Sequence, residues 1–225
     1  APAEAWHEHD LLKAEREVLG FYMSGHPLVR CKDLLEAVAT HPISGLTQPA
    51  EKVRLAGMIA TVKKMMTKKG DPMARCVLED LSGELPMIVF PRAYQQVQNQ
   101  LRSSAIVCVT GRVQMAQDMR AEEGTPAAPE MLVEEVMPLE MAVNRFARSL
   151  TLRLTKAGLE DSLLSDVKRA LDRHPGRIPV LLRLEAPAAA ATLIETDEKV
   201  ALNDGLFEQL SRILGEKAWK IESAS

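Results

Sequence analysis

Aromatic residues are scarce: two Trp, two Tyr and four Phe in 225 residues, 4% of the chain. Few rings are therefore on hand to stack against a base or a sugar. Cysteine is scarce too. Cys31, Cys76 and Cys108 lie far apart, are odd in number and form no CxxC pair, which excludes a disulfide framework and suits reduced thiols in a cytoplasmic protein. No uncharged apolar run approaches the roughly 20 residues of a membrane helix, and Ala1-Pro2-Ala3-Glu4 opens no signal peptide, so no membrane partner is expected. Glycine-rich phosphate loops of the common patterns are absent. An initiating Met is also absent, and the chain reads as a piece of something longer.

The content that remains is that of a folded protein, 46% apolar and 26% charged, with room for two small domains. A net charge of −3 hides a sharp local asymmetry. Between Lys52 and Arg75 seven basic residues face the single acid Asp71, whereas between Met115 and Met141 seven acids face Arg120 alone. The basic stretch is suited to an anionic partner, although the whole-chain average argues for none.

Patterning divides the chain into three parts. Residues 1–45 read as a helical connector, with apolar groups at helical spacing from Leu11 to Tyr22, a break at Ser24-Gly25-His26-Pro27, and a short helix over Lys32–Thr40. Residues 51–142 change to strand periodicity. Val53, Leu55, Gly57 and Ile59 alternate with Arg54, Ala56, Met58 and Ala60. Further strands are expected over Met73–Glu79, Glu84–Phe90, Ile106–Val113 and Met131–Met137, with a short helix from Pro91 to Leu101. Three strands, a helix and two strands is the order of a five-stranded OB-fold β barrel, although another Greek-key barrel shares that periodicity. Asp80 and Gly83 suit the turn between strands two and three, and Phe90 is expected to close the apolar face. Residues 149–225 read as a small C-terminal α/β domain joined through a linker over Met137–Arg148. Its strands are expected at Leu150–Leu154, Ile178–Leu184 and Ala218–Ile221, with one or two more in Ala190–Leu202. Helices are expected over Leu159–Asp172 and from an Asn203 or Asp204 cap to Leu214, with Gly215 as the exit. The fold class is thus mixed: connector, barrel, α/β domain.

The run Glu15-Arg-Glu-Val-Leu-Gly-Phe-Tyr-Met-Ser-Gly-His-Pro-Leu28 is similar to a segment of bacterial DNA polymerase III alpha subunits. Val53–Thr61, Thr67-Lys-Lys-Gly70 and Leu78–Phe90 resemble, in order and spacing, the OB domain that follows that segment in the family. Leu150–Ile221 resembles the small domain that ends the replicative form. The resemblance implies a non-catalytic part of a DNA-directed DNA polymerase, a nucleotidyltransferase whose metal-binding carboxylates lie in a palm outside this chain. It also implies single-stranded template DNA, the clamp-loader tau subunit and the remainder of the alpha subunit as partners, in a bacterial cytoplasm during chromosomal replication. Two departures stand out. The acidic stretch Asp118–Glu130 is long for its loop, and the family's clamp-binding pentapeptide is not found.

No catalytic residues are expected in this chain, and no cofactor. Asp80 beside Ser82-Gly83 reads as a turn residue. His7-Glu8-His9 has no matching Cys or His ligands, and His26 reads as a helix-ending packing residue. The DNA-binding candidates are Lys63, Lys64, Lys68, Lys69 and Arg75, at the end of strand one, in its loop and at the start of strand two. Ammonium groups there reach successive phosphates and bind without sequence preference. Only Phe90 and Tyr94 fall near the barrel, and with Phe90 assigned to its core the expected binding is weak, about micromolar or looser. Trp219, flanked by Lys217 and Lys220, is the candidate protein-binding anchor, with a buried edge-strand position as the competing reading.

Overall fold

Strand alternation, tight turns and one proline-led helix set up the first sheet. The structure is a computed structural model that describes residues 27–29, 31–116, 127–155, 161–185, 190–215 and 218–223. The expected helix over Leu11–Tyr22, the His7-Glu8-His9 run, His26 and the acidic stretch at 118–126 lie outside the described residues. Helix α1 (Lys32–Val38) precedes five strands, β1 (Ala50–Met66), β2 (Pro72–Glu79), β3 (Glu84–Val89), β4 (Ile106–Ala116) and β5 (Ala128–Pro138). Helix α2 (Pro91–Val97) sits between β3 and β4 with its proline in the first turn, where the missing N–H leaves no bond unmade. The strands hydrogen-bond in the order β1-β2-β3-β5-β4, and β4 pairs back onto β1. Every contact in this ring is antiparallel except the short β3–β5 pairing at Met87–Met131 and Ile88–Leu132.

β1 is 17 residues long because it serves two neighbours. Its first half, Ala50–Met58, pairs with β4, and its second half, Met58–Met66, pairs with β2. The change of partner falls at Gly57. A Cβ there would run into the backbone carbonyl of Glu79, so the two strands come closer than any side chain allows. A register shift between Ile59 and Thr61 completes the bend.

The period-two pattern of Val53–Ala60 predicts one buried and one exposed face, but both are covered. Val53, Leu55 and Ile59 face the barrel interior with Leu78, Leu85 and Met131. Ala56 and Met58 face outward and are also buried, in a second apolar cluster with Cys108, Met137, α1 and the C-terminal elements. The barrel wall is thus shared between two cores.

The stretch expected as a linker over Met137–Arg148 is instead largely helix α3 (Leu139–Phe146). Leu139, Ala142 and Val143 are buried at helical spacing, so tertiary burial organises a segment too short to signal itself by pattern. β6 (Ala147–Thr155), α4 (Asp161–Asp172) and β7 (Pro175–Glu185) form a parallel βαβ unit, and β8 (Thr192–Val200) pairs antiparallel with β7. Helix α5 (Asp204–Leu214) begins at Asn203, whose side chain accepts a hydrogen bond from the Leu206 N–H at 2.9 Å, and ends at Gly215 with φ +94°. β9 (Trp219–Ser223) closes the order β8-β7-β6-β9 beside β6. Among the described residues no helix is long and apolar enough to cross a membrane.

Candidate nucleic-acid interface

The basic candidates lie on the β1–β2 hairpin. β1 leaves β4 after Met58, and β2 pairs with β3 only from Ala74 onward, so Met65–Met66 and Pro72–Met73 form a two-stranded ribbon beyond the third strand. Thr67 locks the tip. Its N–H donates to the Asp71 carbonyl (2.8 Å), its carbonyl accepts from the Gly70 N–H (2.9 Å), and its hydroxyl accepts from the Lys69 and Asp71 N–H groups (3.3 and 3.1 Å). Gly70 has φ +86°, a backbone shape that a Cβ disfavours, which explains glycine at this corner.

Lys63 and Lys64 lie in β1, and Lys68 and Lys69 lie at the tip. All four are exposed, and among the described residues none has an ion-pair partner. Arg75 is directly across from Lys63 in register. It differs from the lysines in being engaged, with its guanidinium 3.8 Å from the Glu130 carboxylate on β5, which also accepts from the Gln114 amide at 3.1 Å. The structure therefore brings the five candidates to one hairpin, four with unshared charge and one partly neutralised.

Phe90 is not in the core. It is 46% exposed, whereas Tyr94, one turn into α2, fills the barrel interior at 7%. The reason is alternation: Leu85, Met87 and Val89 point inward, so the next residue points out, and Phe90 becomes the N-cap of α2. Continuing the β3 alternation by one residue in the sequence would have placed it outside.

Asp80 is fully occupied by local structure. One carboxylate oxygen accepts from the Ser82 and Gly83 N–H groups (2.6 and 2.9 Å) and the Ser82 hydroxyl (2.7 Å), and the other accepts from the Ile43 N–H (2.8 Å). The turn is thereby tied to the segment entering the barrel. Among the described residues no group of three or more His, Cys, Asp or Glu is placed to hold a metal ion. Burial pushes the Cys76 thiol up to about 11 and the Cys108 thiol up to about 12, which disfavours thiolate chemistry at either.

Trp219 is half-buried at the start of edge strand β9. Its ring packs on Phe207 of α5 with centroids 4.5 Å apart, and its indole N–H lies 3.5 Å from the Ser211 hydroxyl. Much of this side chain therefore serves its own sheet–helix contact.

The family described as an OB-fold nucleic acid binding domain (tRNA_anti-codon) matches residues 53–139. Among curated proteins, DNA polymerase III subunit alpha of Escherichia coli K12 is 29% identical over 237 aligned residues, covering 99% of this chain and 19% of that protein. The Thermus aquaticus subunit is 33% identical, covering 82% of this chain and 15% of its own length. That of Mycobacterium tuberculosis is 29% identical, covering 95% and 18%. The chain spans between 15% and 19% of the length of these relatives. It is therefore homologous, along nearly its whole length, to part of bacterial DNA polymerase III subunit alpha, and its residues 53–139, from β1 to the start of α3, match the model of the OB-fold nucleic acid binding family.

Proposed function

We propose that this chain is a non-catalytic, C-terminal part of a replicative DNA polymerase III alpha subunit, working in the bacterial cytoplasm. Residues 51–142 hold single-stranded template DNA weakly and without sequence preference. Residues 149–225 dock protein, with the clamp-loader tau subunit as the partner that the family resemblance implies, and residues 1–45 connect to the polymerase core. The observation that carries the DNA reading is the β1–β2 ribbon, which presents Lys63, Lys64, Lys68 and Lys69 without acidic partners among the described residues. Flexible ammonium groups on a projecting ribbon bind successive phosphates by releasing counterions. Weak contact suffices when a tethered core keeps the local DNA concentration high.

The test is fluorescence anisotropy of labelled single-stranded oligonucleotides of unrelated sequence, titrated at two salt concentrations. Binding that falls steeply with salt and ignores sequence is expected. Lys68→Ala with Lys69→Ala should weaken it, lower the slope of log K against log salt by about 1.4, and leave thermal stability unchanged. A variant with the wild-type slope would remove the tip from the site. No wild-type binding at low salt would overturn the DNA reading.

A second reading makes the chain a protein-docking module with no DNA contact. Edge strand β8 favours it for the C-terminal part, since among the described residues no strand pairs with its outer side and it leaves Leu193 and Ile194 59% and 40% exposed. Titration with tau in the absence of DNA distinguishes the two.

A further inference from the structure

Exposed apolar side chains lie beside the lysines of the β1–β2 ribbon. Met65 and Met66 are 36% and 65% exposed, and Phe90 is 46% exposed. Register relates Met65 and Phe90. Met65 pairs with Met73, and Val89, the last residue of β3, pairs with Ala74, so Phe90 leaves the strand with extended backbone at the end where Met73 adjoins Ala74. Met65 and Met73 therefore form a cross-strand pair on the outer face, and Phe90 follows at the adjoining end of β3. The next row on that face is Lys63–Arg75–Ile88, one pleat nearer the barrel.

Local structure gives Phe90 no reason to be where it is. An N-cap position favours Ser, Thr, Asp or Asn, and Phe90 makes no side-chain cap to α2. Its ring is also not needed inside the barrel, where Tyr94 already packs. What the position does supply is an accessible ring at the end of β3, near the Met65–Met73 pair, on a hairpin whose lysines have no ion-pair partner among the described residues. The surrounding charges are Lys63 and Arg75 in the next row of that face, Lys68, Lys69 and Asp71 at the tip, Lys64 on the other face of β1, Arg92 in the first turn of α2, and Glu130, which is engaged by Arg75 and Gln114. A neutral apolar partner would gain nothing from that cationic rim, whereas a base attached to phosphates uses both parts.

We propose that Phe90, with Met65 and Met73, is a base-stacking platform on the outer face of β1–β3. It holds an unpaired base while the ribbon lysines hold the flanking phosphates. The proposal rests on the single-strand reading above and adds base contact to it, so this site recognises unstacked nucleobases as well as polyanion charge.

The test compares a single-stranded oligonucleotide with an abasic oligonucleotide of equal length, using wild type, Phe90→Ala, Phe90→Leu and Phe90→Tyr. Phe90→Ala and Phe90→Leu should each weaken binding of the base-bearing strand by roughly 5- to 150-fold. The salt slope should stay unchanged, and Phe90→Tyr should bind as wild type. All four proteins should bind the abasic strand alike. Wild-type affinity in Phe90→Leu, or an equal loss on the abasic strand, would overturn the platform while leaving the lysine site standing. Absence of wild-type binding to both strands would overturn the single-strand reading and the platform with it. If Phe90→Ala unfolds, the Leu and Tyr variants, which keep the side-chain bulk, decide the question.

Discussion

Cys76 shows how burial alone sets the chemistry of a side chain. It points into the barrel between Ala74 and Leu78, and the loss of water lifts its thiol from the ordinary 9.0 to about 11. The unfolded chain releases that proton near pH 9 while the folded chain holds it, so this thiol's contribution to stability is complete below pH 9 and lost as pH rises toward 11. Cys108, raised for the same first reason, acts with the same sign. Urea denaturation under reducing conditions should show stability falling between pH 9 and pH 11. Cys76→Ala should fall less over that interval, and a variant that falls as much as wild type would refute the assignment. The sequence places Cys76 and Cys108 inside expected strands, Met73–Glu79 and Ile106–Val113, where a small apolar residue suits a core. Phe90 was misplaced for the converse reason. Its hydrophobicity favours a core position, but its place in the alternation, which packing obeys, puts it outside.

Among the elements, β1 decides the most. One strand must pair with β4 and then with β2, and the hand-over depends on the closeness of Gly57 to the Glu79 backbone. Gly57→Ala forces the strands apart at a point where only backbone stands in the way. We expect a loss of about 1–3 kcal/mol in urea denaturation, the range for overpacking a tight site. A stability within about 0.5 kcal/mol of wild type would mean that the bend relaxes elsewhere. The ribbon that β1 forms with β2 tells a different story. Its tip is held by Thr67 and Gly70 without help from the core, so the lysines it carries are replaceable without cost to the fold. Turn chemistry of this kind is local, and the sequence shows it directly.

At the scale of the molecule, the barrel and the C-terminal sheet are joined by shared burial. Arg54 on β1 donates to the Val38 carbonyl at the end of α1 and lies 4.1 Å above the Phe146 ring of α3. Asn144 of α3 grips Leu202 with both ends of its amide, donating to its carbonyl at 2.7 Å and accepting from its N–H at 2.9 Å. Asn144→Ala leaves that backbone pair unmatched and should cost about 1–3 kcal/mol. Because one apolar cluster spans α1, the outer barrel wall and β6, the variant should still unfold in a single step. Coincident midpoints by far-ultraviolet circular dichroism and tryptophan fluorescence would confirm this, and separated midpoints would show that the two sheets unfold independently.

The sequence by itself determined the features governed by near neighbours: strand alternation, the Asp80–Gly83 turn, the proline start of α2, the Gly215 exit of α5 and, to within the choice of Asn203 or Asp204, its cap. Each depends on backbone preferences and hydrogen bonds spanning a few residues, and composition states these openly. It also brought the five basic candidates to one hairpin, because a turn between two alternating strands leaves little choice of partner. Only the tertiary structure decided what depends on distant neighbours. It placed Ala56 and Met58 in a second core, made α3 a helix, exposed Phe90 and turned Trp219 onto Phe207. Burial is a property of what packs against a residue, and residues far along the chain supply it.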